Sequence, residues 1–435
     1  MPLMTLKTFE RYAGSAFLGP KAMRQLQQKL LRRHLTYCGT RSPFYRRLFR
    51  RRRIDPARIT LGTLKDIPCT DKRILTRHNR SCIAVSPEQT ADIVFSSGTT
   101  GEPAQIVYSR RDLERLAYNE RQSFVSCGIT ARDRVLLTCT MDRCFIAGLA
   151  YYLGTQAVGA SSIRNGLNSL YSHASVIRQV KPTVIIGVPS FLRKLGGFLC
   201  RENIPVSSVR RLVCIGEPLR DRQLQPLALT RDLERLWSAK AYSTYSSSEI
   251  ISTFCECLRQ KGGHLHPELA VVEIVNDAGT PLKPGAAGEI VVTPLGVTGM
   301  PLVRFRTGDI GVLDDTPCGC GRRSPRLGPV LGRKEQMLKV KGTTVYPQAI
   351  YSALDEMPEV SDYFVTVASQ GALSDRITVT VSLRKACPLG RIEELLASRL
   401  RVTPEVVAAP EETVRAAVYN PAMRKPVRFH DRRKK

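Results

Sequence analysis

The chain has 435 residues, more than a single hydrophobic core usually serves, so two domains are the prior expectation. Hydrophobic residues make up 43 %, enough for a globular protein, and no run approaches the ~20 apolar residues of a membrane span. Lysine and arginine number 66 against 38 acidic residues, a formal net charge of +28, but one tryptophan and 6 % aromatics leave no stacking platform for nucleic acid.

No zinc-finger, RRM or helix-turn-helix signature accompanies the charge, so no specific nucleic-acid partner is expected; a solvated basic surface would draw polyanionic substrates instead. The segment Met1-Pro2-Leu3-Met4-Thr5-Leu6-Lys7 lacks the basic start and apolar stretch of a signal peptide. Thirteen cysteines, an odd number, then point to a reducing compartment and a cytoplasmic protein. Nine of them (Cys38, Cys69, Cys82, Cys127, Cys139, Cys144, Cys200, Cys214 and Cys387) stand alone and are expected to behave as small buried hydrophobes.

Apolar residues at helical spacing predict an amphipathic helix from Ala22 to Leu35. The densest basic cluster, Arg46 to Arg53, follows it, and either Thr70 or Asp71 is the N-cap ahead of Lys72-Arg73-Ile74-Leu75. Ala91-Asp92-Ile93-Val94-Phe95 reads as a strand running into Ser96-Ser97-Gly98-Thr99-Thr100-Gly101. Gly98 and Gly101 allow torsions and close approaches that a Cβ forbids, and the flanking hydroxyls are donors. Such a loop can wrap phosphate oxygens without a fixed charge. It is not the P-loop of the NTPases, because no Gly-Lys-Ser/Thr follows at the required spacing.

Beyond it, strand-like Val135-Leu136-Leu137-Thr138, Thr183 to Gly187 and Leu212-Val213-Cys214-Ile215 alternate with helical patterns over 169–180 and 189–200. That alternation predicts a mainly parallel sheet, with ligands beyond the carboxyl ends of the strands where the Gly98 and Gly216 loops fall. Residues 270–293 read instead as antiparallel strands about the turn Asn276-Asp277-Ala278-Gly279, a barrel-like subdomain. After Gly332-Arg333 the pattern restarts, with a helix from Pro347 to Met357 and a strand from Arg376 to Leu383. This gives domains 1–332 and 333–435, the second a small α+β unit of roughly 100 residues.

The hydroxyl-rich loop, continued by Ser109-Arg110-Arg111-Asp112, resembles the phosphate loop of the adenylate-forming superfamily, in particular its phenylacetate–CoA ligase branch. Further similar stretches follow in order. They are Ile215-Gly216-Glu217-Pro218, Tyr245-Ser246-Ser247-Ser248-Glu249, Gly288 to Thr293, Arg304-Phe305-Arg306-Thr307-Gly308-Asp309, and Gly332-Arg333-Lys334-Glu335 on to Gly342. Upstream, Leu31 to Cys38 and Ser42-Pro43-Phe44-Tyr45 resemble the branch's first helix and turn. The resemblance implies an α/β fold: a large N-terminal adenylate-forming domain of mainly parallel sheets plus a barrel-like subdomain, and a small mobile C-terminal α+β domain.

It also implies the chemistry. A carboxylic acid would be activated as acyl-AMP with ATP and Mg²⁺, then passed to coenzyme A. Ser96, Ser97, Gly98, Thr99, Thr100 and Gly101 would hold the pyrophosphate end, and Glu249 the Mg²⁺. Tyr245 would stack on adenine beside Gly216, Glu217 and Pro218, with Ser248 in the same motif. Asp309 and Arg333 would meet the ribose, and Glu335 would sit at the hinge. Lys425 stands at the position of the adenylation lysine, reaching carboxylate and α-phosphate together. The chain departs from the family pattern with Glu102, Ser246 and Arg424.

Cys257, His264, Cys318 and Cys320 would clamp a structural Zn²⁺, with Cys255 or His266 as substitutes. Residues 138–148 should line the acyl pocket, and Asp142-Arg143 makes it more polar than its counterpart in phenylacetate enzymes. A homodimer is compatible with the reading. Two alternatives stay open: an adenylyltransferase that stops at a carboxylate or cofactor adenylate without coenzyme A, and a catalytically silent basic binding protein of the same fold.

Overall fold

The computed structural model describes residues 7–96, 104–340, 343–369, 375–400, 402–419 and 426–433. The chain forms two compact units, one of Met1–Pro226 with Thr230–Val330 and one of Leu227–Leu229 with Leu331–Lys435.

In the first unit, helix Pro20–Arg41 runs longer than its apolar spacing predicts. Pro20 at the first turn gives up an N–H that has no helical partner anyway. At the other end Ser42 is extended before Pro43, which opens helix Pro43–Arg52. Leu31, Leu35, Cys38, Tyr45 and Phe49 from these helices share a core with Ile59, Leu64, Ile67, Leu295 and Val303. Asp71, not Thr70, caps helix Lys72–Arg77, accepting the Ile74 N–H at 2.8 Å. Thr70 instead donates its hydroxyl to the Val303 carbonyl at 3.0 Å.

Strands Thr90–Phe95 and Gln105–Ser109 form an antiparallel pair. Ser109 then starts helix Arg110–Ser126 with a reciprocal capping box to Asp112. A six-stranded sheet follows, in the order Ser161–Arg164, Arg134–Leu137, Val184–Gly187, Arg211–Cys214, Lys240–Ser247, Ser252–Cys255. The first five strands are parallel and the last is antiparallel. Val184–Gly187 is buried at every position, as expected for a strand covered on both faces. Helices Ile146–Val158, Leu170–Val180 and Pro189–Arg201 make the first three crossovers, and Ala228–Trp237 lies in the fourth. Because the chain passes from Arg134–Leu137 to one neighbour and then the other, the order reverses there, the usual place for a ligand crevice.

A second, antiparallel sheet in this unit runs Ala270–Val275, Ala287–Pro294, Phe305–Asp314, Arg326–Leu327, Gly263–His264. In the second unit, four strands lie in the order Glu405–Ala408, Asp375–Leu383, Val360–Ser369, Phe429–Asp431. The central pair is antiparallel and both edges are parallel. Ile350, Leu354, Ile392 and Leu396 pack with Val365, Val367, Val379 and Val381 in its core. The helix expected to reach Met357 ends at Leu354, since Pro358 disfavours helical torsions before it. The expectation of nine buried cysteines also needs correction: Cys144 and Cys200 are exposed, and Cys69 and Cys387 half-buried. Nothing in their neighbourhood demands that these small side chains be covered.

Candidate active site and metal centre

The carboxyl ends of strands Arg211–Cys214 and Lys240–Ser247 present two of the loops singled out in the sequence. Gly216 has φ of 76°, a left-handed conformation that favours glycine. Glu217 does not point free into the crevice. Its carboxylate accepts the Ser190 N–H at 2.9 Å and hydroxyl at 2.7 Å, at the positive end of helix Pro189–Arg201. Pro218 beside it is half-buried.

Tyr245 lies on the next strand. Its ring stacks on Phe254 with centroids 6.5 Å apart and planes 12° from parallel. Its hydroxyl donates to Asp309 Oδ2 at 2.9 Å. Asp309 stands on the antiparallel sheet just after Gly308, whose φ is 77°. One hydrogen bond thus joins the residue assigned to adenine with the residue assigned to ribose, across two sheets.

Glu249 is buried, with Lys72 Nζ 3.8 Å from its carboxylate. The Ser248 carbonyl accepts a 2.7 Å hydrogen bond from the fully buried Tyr108 hydroxyl. Burial first, and then the Glu249 charge, push the Tyr108 phenol well above its ordinary range, so it stays a neutral donor. Tyr108 therefore fixes the turn that carries Glu249.

Ser96 closes the base of the hydroxyl-rich loop. Its N–H donates to the Ala104 carbonyl at 2.9 Å and its Oγ accepts the Ala104 N–H at 3.1 Å. Ser97, Gly98, Thr99, Thr100 and Gly101 lie outside the described residues, as do Glu102, Arg424 and Lys425. Arg333 and Glu335 belong to the second unit and are exposed.

Residues from both cysteine pairs and one histidine fold into one tight metal-type cluster. One ligand atom from each of Cys257, His264, Cys318 and Cys320 lies within 4.8 Å of all the others. A tetrahedral Zn²⁺ with Zn–S of about 2.3 Å and Zn–N of about 2.05 Å sets S···S edges of about 3.8 Å and S···N edges of about 3.5 Å. Here Cys257 and Cys318 sulfurs are 3.7 Å apart, and Cys320 Sγ is 3.4 Å from His264 Nε2. Ser324 Oγ sits 3.2 Å from His264 Nδ1, the second contact that orients a ligating imidazole. The Arg259 N–H and Arg322 guanidinium donate to Cys257 and Cys320. These residues fit the metal. His266 is instead buried with Ser123 Oγ 3.4 Å from its Nε2, so the substitute ligand is not needed.

Two residues quoted in the family-like stretches have contacts that the sequence does not foretell. Asp112, wholly buried, accepts hydrogen bonds from three backbone N–H groups, those of Ser109, Thr298 and Gly299. Arg304 pairs with Glu273 at 2.9 Å while donating to the carbonyls of Lys65, Ile67 and Gly279. The Arg304 contacts tie loops far apart in the chain to the start of the strand bearing Asp309, and Asp112 ties its helix to the 298–299 turn.

A sequence model of the AMP-binding enzymes matches residues 49–300, and one of the AMP-binding enzyme C-terminal domain matches 342–433. Phenylacetate-coenzyme A ligase of Thermus thermophilus is 31 % identical over 363 residues, covering 81 % of this chain and 80 % of the relative. The enzyme of that name from Escherichia coli is 28 % identical over 383 residues, covering 84 % and 83 %. Among solved structures, 2-hydroxyisobutyryl-CoA ligase bound to an acyl-adenylate aligns with a TM-score of 0.85 at 18 % identity over 97 % of this chain and 92 % of that one. At this identity the likeness speaks for the fold alone.

Proposed function

Because the chain belongs to the family of AMP-binding enzymes, we propose that it is an AMP-forming acid–CoA ligase of the phenylacetate–CoA ligase type. The observation that carries the reading is the Tyr245–Asp309 hydrogen bond beyond the carboxyl ends of the parallel sheet. It sets an aromatic face and a carboxylate acceptor side by side, as a nucleoside requires.

In the first half-reaction an oxygen of the substrate carboxylate forms a bond to the α-phosphorus of ATP. The bond from that phosphorus to the bridging oxygen breaks, and pyrophosphate leaves. In the second, the coenzyme A thiolate adds to the acyl carbon, the mixed-anhydride C–O bond breaks, and AMP leaves. The protein's task is positioning and charge neutralisation. Ser96 anchors the loop in which Ser97, Gly98, Thr99, Thr100 and Gly101 would hold the β- and γ-phosphates. Glu249, held by Tyr108 through Ser248, would bind Mg²⁺, which when present offsets phosphate charge. Gly216 and Pro218 would flank the adenine, with Glu217 fixing their loop through Ser190. Arg333 would join Asp309 at the ribose, and Lys425 would hold carboxylate and α-phosphate together.

Residues 1–332 and 333–435 are the two functional domains of this reading, with Glu335 at the hinge. Cys257, His264, Cys318 and Cys320 would hold one structural Zn²⁺, tying the 257–264 segment to the 318–320 loop. Thirteen free cysteines suit a reducing cytoplasm.

The test is ATP–pyrophosphate exchange against a panel of carboxylic acids, wild type beside Lys425→Ala, with product mass after adding coenzyme A. Acid-dependent exchange that falls by about 10²-fold or more in the variant, and an acyl-CoA product, are expected. The absence of exchange with every acid tried, despite ATP binding, would overturn the reading in favour of a cofactor-adenylating or silent binding protein. Exchange without thioester would favour the adenylyltransferase alternative.

A further inference from the structure

A cavity of ≈ 470 Å³ opens at the carboxyl ends of the neighbouring strands Arg134–Leu137 and Ser161–Arg164, beside the reversal in strand order. Met141, Asp142, Arg143, Arg164, Asn165 and Asn168 contribute to its lining.

Both walls are built, not incidental. In the first, Arg143 and Cys144 have φ of 58° and 50°, two successive non-glycine residues in the left-handed region. Such torsions persist only where surroundings enforce them. Here the Phe95 N–H holds the Cys144 carbonyl at 3.0 Å and the Phe145 N–H holds that of Asp142 at 3.3 Å. Gly148 lets helix Ile146–Val158 start directly beneath, since a Cβ there would lie 2.1 Å from the Thr140 carbonyl oxygen. In the second wall, the N–H groups of Asn165 and Gly166 both donate to the Leu137 carbonyl, at 3.3 and 3.0 Å. The Asn165 side chain is held by Ser172 and His173.

The charges on these walls are unbalanced. Asp142 already accepts the Thr140 hydroxyl. Arg164 lies over the Tyr152 ring at 5.4 Å, and neither Arg164 nor Arg143 has a carboxylate partner among the described residues. A pocket for a neutral aryl or alkyl group needs predominantly apolar walls. Two guanidinium groups and two amides suit a second anion, because the guanidinium fork matches a carboxylate.

We propose that this cavity receives the far end of the acid, that the acid carries a second carboxylate, and that Arg143, seconded by Arg164, selects for it. The inference rests on the ligase reading above.

The experiment uses the full chain in pyrophosphate exchange with matched pairs: 3-carboxyphenylacetate against phenylacetate, and adipate against hexanoate. The dicarboxylate of a pair should be favoured at least tenfold in kcat/KM. Arg143→Gln should shrink that preference by about 10- to 100-fold, chiefly through KM, as expected for losing a charge-assisted hydrogen bond. Arg164→Gln provides a second variant with the same expected direction. A wild-type preference for the monocarboxylates, or an unchanged ratio in both variants, would overturn the inference. Should no acid support exchange, the ligase reading falls. Calorimetric titration of the two dicarboxylates into wild type and R143Q then decides the pocket separately: equal binding, or none, would sink it.

Discussion

Replacing Asp112 by asparagine changes the chain by one heavy atom and no volume, yet the surroundings of that side chain make the change costly. Oδ1 accepts the Thr298 N–H at 2.8 Å and its hydroxyl at 3.2 Å. Oδ2 accepts the Ser109 N–H at 3.0 Å and the Gly299 N–H at 2.6 Å. Asparagine has one acceptor oxygen, so its NH₂ must face one of these donor pairs. Two hydrogen bonds to a charged acceptor disappear, each worth about 1.5–3 kcal/mol, and buried donors are left unmet. The expected loss is about 3–6 kcal/mol, a large part of the ~5–15 kcal/mol that keeps a typical domain folded. The turn is closely packed around Gly299, where a Cβ would lie 2.4 Å from the Val107 carbonyl oxygen. Trp237, the single tryptophan, is wholly buried in the first unit and reports its unfolding by fluorescence. Urea titration of wild type and Asp112→Asn should show the midpoint falling by more than about 1 M, given slopes of roughly 1–3 kcal/mol per molar. A loss below about 1 kcal/mol with an unchanged slope would refute the account of this carboxylate as a junction.

Two further outcomes follow from buried groups. Burial pushes the Glu120 carboxyl up to about 8, partly offset by its hydrogen bond from Thr253. The folded state therefore keeps a proton that the unfolded chain releases near its ordinary value of 4.5, so stability falls as pH rises from about 4.5 through about 8. Glu120→Gln should gain stability on wild type as pH goes from 5 to 8 in urea titrations; a pH-independent difference would contradict this. For the cysteine–histidine cluster, elemental analysis should find one zinc per chain. Chelation or Cys320→Ser should lower the unfolding midpoint, since a metal at a thousandfold excess over its Kd stabilises by about 4 kcal/mol. A metal-free chain of undiminished stability would remove the clamp.

What could be read from the residues alone was whatever repeats locally. The alternating apolar runs that became Val184–Gly187 and Arg211–Cys214, and the helices between them, carry periodicities set by backbone geometry. The two Cys-x-Cys pairs and the nearby histidines were visible too, but which four of those six would come together rested on the family resemblance, not on their spacing. The contacts of Asp112, Tyr108 and Arg304 were not visible. Each is a polar side chain that bonds backbone groups brought close only by folding; the Ser109-x-x-Asp112 spacing announces a capping box but not the contacts to Thr298 and Gly299. Glu217 shows the converse: its motif was visible, but its bonds to Ser190 depend on two strands being neighbours.

The edge strand Phe429–Asp431 has a consequence for how the chain is made. It pairs in parallel with Val365, Thr366 and Val367, and Arg433 secures it through Asp431, Asp375 and the carbonyls of Glu335 and Met337. On the ribosome, these residues emerge after every other strand of that sheet. Until they arrive, the nascent second unit carries a bare β-edge, the kind of surface that recruits a neighbouring strand. A product cut short before Phe429 keeps that edge permanently, and should be recovered with chaperones or in inclusion bodies, not merely as an inactive soluble protein.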